Sequence, residues 1–552
     1  MSDKFKKIIQ FGFIILIFVN ILSFQRTEEF DYKTFFLNLT FSLLFLLWSF
    51  SLCWGKIYFK KNLFNFLVLS FFFLNLISFL FSPYPLASAL QFYQVFVYTG
   101  IYIIFLSVFH NLKDIERFVH FLLLSIFLVS FYGILQYWGG DFLRISHKRI
   151  VFSTFINKNF LGGVLAINLP FFLLSLFRAE GIFKKIIYFL GTCVVIYALI
   201  LTGSKGGILV GIMGILFFIS FSFLKQIKEK KMRKRLIILG TIFFVPMGIK
   251  VFPWFYSRNC PMSLKERFPF WRLSLRMIGA HPFRGVGIGN FVLFAPGYKP
   301  SLFSPEQFIR HAWNEFLEIW AELGFLGFLS FIILLILVSI YALKIIFQQN
   351  KESFISIVSL GGLASLFSGI LLNLGEINLR IVYLGIYFWI SLAILIKIKE
   401  IDLDKRVTFF NFPSFFKKIC FLFFIFADLC LLKFIFTPLL MYKIAQKKAS
   451  YGYKITDLDR LENLESELKD SPSLYNNLGN LYLLNGDMEK AKEYYQRALE
   501  LNPSFSSTNY NLGYIYFLEG KIREAYEKFS FCLKLNPRDA DSYFMLKKNI
   551  LY

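Results

Sequence analysis

Residues 310–337 read RHAWNEFLEIWAELGFLGFLSFIILLIL. The second half decides the fold. From Phe325 to Leu337 an apolar run is broken by Gly327 and Ser330 alone. Runs of about 20 such residues are long enough to cross a hydrocarbon layer roughly 30 Å thick. They recur along most of the chain: 8–24, 34–53, 62–81, 91–109, 117–136, 159–177, 186–202, 206–224, 236–252, 323–347, 353–374, 380–398 and 419–440. The composition agrees. The 552 residues are 57% hydrophobic and 20% aromatic, with 75 phenylalanines, where soluble domains average about 45–50% apolar. The predicted fold is therefore all-α: a polytopic membrane bundle of about twelve core spans plus one further span. A soluble helical tail follows.

The net charge of +25 does not require nucleic acid, because cytoplasmic loops of polytopic proteins are enriched in Lys and Arg. With Lys4, Lys6 and Lys7 inside, the loops WGKIYFKK, RAEGIFKK, KQIKEKKMRKR and KIKEIDLDKR all fall inside too, while QRTEEFDYK and SPYPLAS fall outside. The first run is read as a retained span, since Gln25, Arg26 and Glu28 follow it in place of a small-residue cleavage site. Six cysteines, at 53, 193, 260, 420, 430 and 532, lack metal or redox spacing and are read as packing residues. The predicted organisation is a membrane domain over 1–400 with a large outer loop at 252–322. A basic cytoplasmic linker and last span over 401–440 follow, then an outer domain over 441–552.

That last domain contains one pattern twice. Leu478, Gly479, Tyr482, Ala491, Tyr495, Ala498 and Pro503 match Leu512, Gly513, Tyr516, Ala525, Phe529, Cys532 and Pro537, each pair 34 residues apart. This period and pattern resemble the tetratricopeptide repeat, an α-solenoid of helical pairs. Tyr543 and Leu546 are read as starting a capping unit, and Leu458 to Leu468 as a preceding helix. Such a surface binds partners and carries no chemistry of its own.

Chemistry concentrates at the predicted outer face. If 270–278 is helical, Trp271, Leu275 and Ile278 form an apolar stripe, and Arg272 with Arg276 sit one turn apart on another face. Those arginines either snorkel to lipid phosphates or grip the diphosphate of a lipid-linked substrate through paired hydrogen bonds. If a helix starts near Arg310, His311, Glu315, Glu318 and Glu322 share a polar face opposite Trp313, Phe316, Trp320 and Leu323. A carboxylate one turn from His311 can then orient and polarise its imidazole, which makes His311 and Glu315 the candidate acid–base pair. Lys205, in LTGSKGG, places a costly charge near membrane depth. Asn157 and Asn159 lie in TFINKNFLGG.

In order and spacing, FINKNFLGG, LTGSKGG, Arg267-x-x-x-Trp271, HPFRGVGIGNF, and His311-x-x-Asn314-x-x-Leu317 followed by Glu322, Gly324 and Gly327 resemble the O-antigen ligase and polymerase family of bacterial inner-membrane glycan transferases. The resemblance covers about Thr154 to Gly327. It implies metal- and cofactor-independent transfer of a glycan from a polyprenyl diphosphate carrier to a lipid, protein or growing-glycan acceptor at the periplasmic face. It implies that Lys205 and Arg267 contact the diphosphate and that a histidine acts as base; Arg272, Arg276 and Asn314 are read as further candidate substrate contacts. Two departures stand out: the family usually has Arg at Lys205, and a second histidine at Trp313. His311 takes that role, or the motif has diverged. A solute transporter is the competing class, disfavoured by how few ionisable groups the spans carry; a catalytically dead scaffold built on the repeat domain is a third.

Overall fold

The computed structural model describes residues 3–23, 32–54, 62–139, 151–227, 267–298, 311–348, 353–402 and 472–535 apart from a few single positions, and isolated residues such as Ile309 and Met545. Among the described residues there is no strand. Eight helices come first: α1 (Asp3–Leu22), α2 (Tyr32–Trp54), α3 (Leu63–Leu80), α4 (Pro85–Val108), α5 (Leu112–Tyr137), α6 (Lys158–Arg178), α7 (Ile182–Thr202) and α8 (Lys205–Gln226). Then come α9 (Arg267–Ala280), α10 (Glu315–Ile346), α11 (Ser353–Asn373) and α12 (Val382–Asp402). The tail holds α13 (Pro472–Leu484), α14 (Met488–Leu501), α15 (Ser506–Leu518) and α16 (Ile522–Leu535).

Eleven described helices, α1–α8 and α10–α12, are long and apolar enough to cross a membrane. The chain is a multi-pass membrane protein. The expected spans at 236–252 and 419–440 and the linker from 403 onward lie outside the described residues. Burial sorts the bundle into centre and rim. The α12 span is 94% buried and those of α4 and α6 83%, against 28% for α3 and α8. Small residues let the central helices close up, as is usual where lipid cannot drive association. A Cβ at Gly385 would overlap Tyr98, and one at Gly369 would press into Phe388.

Charges gather at the helix ends. At one end lie Lys6–Asp114 (3.0 Å), Arg178–Glu116 (2.9 Å) and Lys397–Glu400 (3.1 Å). At the other, buried Lys33 donates to the carbonyls of Asn20 and Ile21 that close α1, a place where a helix dipole favours a cation. It is within 3.3 Å of Thr154 Oγ1 as well.

A second small core stands at this latter end. Phe270, Leu273, Met277 and Ile278 of α9 pack with Val286, Phe291, Ile309, Ala312 and Ala321. The helix expected over 270–278 is present, but its buried stripe differs from the expected one: Leu275 is 55% exposed. Ridge positions 270, 273 and 277 face inward, so Arg272 and Arg276 project from the opposite, exposed face.

In the tail, α13–α14 and α15–α16 are two antiparallel pairs. Ala491, Tyr495 and Ala498, and their counterparts Ala525, Phe529 and Cys532, are fully buried. Gly479 has no room for a Cβ beside Tyr495. Met545 packs on Ala525 and Phe529; Tyr543, Leu546 and the helix expected over 458–468 lie outside the described residues.

Candidate functional site

The opening stretch folds differently from the single helix expected of it. The helix α10 begins at Glu315, not near Arg310. Asn314 is its N-cap: Oδ1 accepts the Leu317 amide at 3.1 Å, satisfying a donor the helix cannot. Its Nδ2 donates to the Leu374 carbonyl at 3.1 Å. Asn314 is thus engaged at both ends in joining α10 to the α11–α12 turn. Before it, Trp313 has φ of 52°, a left-handed conformation that is uncommon and strained for a bulky residue. The Trp271 indole donates to its carbonyl at 3.4 Å.

This turn changes the partner of His311. The residue expected to orient it, Glu315, is instead bonded to Arg380, Nε to Oε1 at 2.9 Å. Glu318 takes the imidazole: His311 Nδ1 lies 3.0 Å from Glu318 Oε1, and the Ala312 amide donates to Oε2 at 2.7 Å. Glu318 is buried while the His311 side chain is 32% exposed. Arg380 also reaches Glu322 at 2.6 Å and Glu318 at 3.5 Å. Burial opposes the charge of Arg380, but the carboxylates of Glu315, Glu322 and Glu318 outweigh it and raise its pKa. One buried guanidinium therefore ties three carboxylates, spaced along one helical face, to the short turn before α12.

The same helix is fixed from its other side by the HPFRGVGIGN loop. Gly324 interrupts α10 with φ of 67° and ψ of −170°, and Gly285 faces it with φ of 68°. A Cβ on Gly285 would collide with the Glu322 carbonyl, and one on Gly324 with the Phe283 carbonyl. Three backbone bonds cross this contact: Val286 amide to Ala321 (2.9 Å), Gly287 amide to Glu322 (2.9 Å) and Phe325 amide to Pro282 (2.8 Å). The glycines thus serve a backbone-to-backbone contact within the protein. The loop continues to the start of α4, where Ser88 donates to the Ile288 carbonyl at 2.5 Å.

The cations approach from a third direction. Arg267, the first residue of α9, pairs with Glu376 at 2.6 Å and lies 5.7 Å from the centroid of the Trp313 ring. Burial raises the Glu376 pKa, and Arg267 offsets that only in part. Glu376 faces Gly206 of α8, the neighbour of Lys205. The LTGSKGG turn is a cap-to-cap junction. Gly203 ends α7 in the left-handed conformation, and Ser204 Oγ accepts the Gly207 amide at 3.2 Å to start α8. Lys205 is exposed at that N-terminus. FINKNFLGG packs against it, with no space for a Cβ on Gly207 beside the Gly162 backbone. Lys158 also reaches the turn near Gly203.

The structure thus brings together Arg267, Trp313, His311 and the α8 start, and leaves Arg272 and Arg276 on the far face of α9. Glu376, Arg380 and Lys158 were missed by the sequence reading, which placed Glu318 on the polar face but not against His311. The segment GEINLR held a usable signal for two of them, because charges in so short a gap between apolar spans demand partners.

Residues 190–332 match the O-antigen ligase family model. Over that segment the chain is similar to an O-antigen ligase domain. Lys205, Arg267, His311, Asn314, Glu315, Glu318 and Glu322 lie inside the matched segment, and Glu376 and Arg380 beyond it. Tetratricopeptide repeat models match residues 472–505 and 494–527. A search of curated proteins returned no match. The ligase family supports membrane glycan transfer as the general activity.

Proposed function

We propose that the protein transfers a glycan from a polyprenyl diphosphate carrier to an acceptor hydroxyl at the outer face of the bacterial cytoplasmic membrane. The observation that carries this reading is the His311–Glu318 pair, one end buried and the other open, two residues from the Trp313 ring on which Arg267 lies. Glu318, held as an anion by Arg380 and the Ala312 amide, accepts a hydrogen bond from Nδ1–H. The lone pair then sits on Nε2, where it takes the proton of the acceptor hydroxyl as that oxygen bonds to the anomeric carbon. The bond from that carbon to the carrier phosphate breaks, and the electron pair leaves with the polyprenyl diphosphate. Arg267 and Lys205 stabilise the charge that develops there. Metal enters no step of this scheme.

The orientation is supported by charge. The end opposite His311 holds Lys6, Arg178, Lys184 and Lys397, matching the basic bias of cytoplasmic loops. The repeat domain then stands outside, where it recruits the acceptor or a partner protein. Polymerisation of a glycan, or its transfer to protein, uses the same groups with a different acceptor hydroxyl.

One complementation experiment tests this. A deletion strain is given the full chain, His311→Ala, or a chain ending at residue 440. Surface glycan and polyprenyl-linked precursor are both measured. Loss of surface glycan with precursor accumulation is expected for deletion and for His311→Ala, and reduced glycan for the shortened chain. Normal glycan with His311→Ala refutes the base assignment, and loss of solute uptake without precursor accumulation points to a carrier. Normal glycan with the shortened chain removes the recruiting role.

A further inference from the structure

At the end of the bundle away from His311, α5, α6 and α7 diverge around a cavity of about 250 Å³. Its mouth carries both signs of charge. Glu116 and Arg178 are joined there at 2.9 Å, with Glu180 and Lys184 on the same lining. One helical turn deeper, His120 and Tyr188 stack with ring centroids 6.1 Å apart and an interplanar angle of 17°. The floor is apolar: Val119, Leu174 and Val358. One wall is the first half of α7, which packs on little of the bundle. Ile182 is 75% exposed and Phe183 74%, and the buried residues of α7 begin only at Gly191.

An apolar helix face of this kind meets hydrocarbon in a bilayer, so the cavity opens toward lipid. From mouth to floor it runs charged, aromatic, apolar. A phospholipid has the same order of polarity, and basic pockets between membrane helices at this level bind lipid headgroups. The mixed charge narrows the class. A headgroup with a phosphate alone would face Glu116 and Glu180 across the same mouth. A quaternary amine would satisfy their charge but has no N–H to donate to them.

We propose that this cavity binds a phospholipid whose headgroup carries both a phosphate and a primary amine. The phosphate lies against Arg178 and Lys184, and the ammonium donates to Glu116 and Glu180. The acyl chains run along the exposed face of α7. This site is separate from the transfer chemistry and does not rest on it.

The test uses the full chain in mild detergent, titrated with phosphatidylethanolamine, phosphatidylglycerol and phosphatidylcholine, with bound lipid read by native mass spectrometry. Phosphatidylethanolamine is expected to bind about tenfold more tightly than the other two, and Lys184→Gln to weaken it by about fivefold. Lys184→Gln/Glu180→Gln is expected to abolish the preference among lipids. Both residues are exposed, and an unchanged thermal unfolding curve confirms that the variant is folded. Equal binding of all three lipids, or an unaltered preference in the folded double variant, overturns the proposal.

Discussion

Glu318 divides its two oxygens between a side chain and the backbone, holding His311 by one and the Ala312 amide by the other. A carboxylate so placed fixes both the direction of the imidazole and the nitrogen that bears the proton. Glu318→Gln keeps the shape but offers an amide in place of the anion. It is expected to lower kcat by about 10²-fold or more at little change in KM, while Glu315→Gln, which touches Arg380 and not His311, lowers it far less. Steady-state kinetics of the two variants side by side separate these roles, and equal losses would reject the distinction. If Arg267 binds the donor diphosphate as proposed, Glu376 brings pH into that binding. Ionised, it neutralises Arg267 and repels a diphosphate. Because burial raises its pKa, it takes up a proton earlier than an ordinary carboxylate as pH falls, and this releases Arg267 for the donor. Donor affinity should therefore rise as pH falls, and Glu376→Gln should flatten the dependence. A titration of a carrier analogue across pH checks this; an identical slope in the variant would exclude Glu376.

At the scale of elements, the break in α10 does the positioning. Gly324 lets the helix change course between the carboxylate-bearing turns and the apolar run, and Gly285 lets the preceding loop bond across the break. Both have positive φ and no room for a Cβ. Gly324→Ala or Gly285→Ala is expected to lower the unfolding temperature, since a left-handed backbone disfavours any Cβ by about 1–2 kcal/mol before the collision is counted. The carboxylates would also move off Arg380, so transfer falls in whatever protein remains folded. Unchanged thermal stability in both variants would show that the break is not needed. The helices themselves were legible from the sequence, because an apolar run of spanning length admits few other structures. The start of α10 was not. Four helix-compatible residues, Arg310 to Trp313, precede a good N-cap, and nothing local says that the chain turns left-handed at Trp313. That one dihedral moves His311 off the helical face and exchanges Glu315 for Glu318. The charges of Arg380 and Glu376 could be noticed in their short gap, but which residues they pair with was out of reach for a different reason. They lie about 60 residues or more from their partners, and only the packing of α9 and α10 against the α11–α12 turn joins them.

Across the described molecule, the most buried helices, α4, α6 and α12, form the centre. At one end of it the polar network of Arg380 and the small core under α9 hold His311 and Arg267 in place. The repeat pattern of the tail was legible for the opposite reason to the site: each repeat makes its contacts within about one period, so spacing alone reveals it. The proposed transfer chemistry assigns separable tasks, donor binding to Arg267 and Lys205 and proton removal to His311. The most direct measurement uses purified protein in proteoliposomes with the polyprenyl-linked glycan that accumulates in the deletion strain. Donor binding and single-turnover transfer are followed for the natural chain, Arg267→Ala and His311→Ala. Arg267→Ala should weaken donor binding, whereas His311→Ala should bind the donor normally yet transfer it roughly 10²–10⁴ times more slowly. Full-rate transfer by His311→Ala with normal donor binding would contradict the assignment of the imidazole as the base.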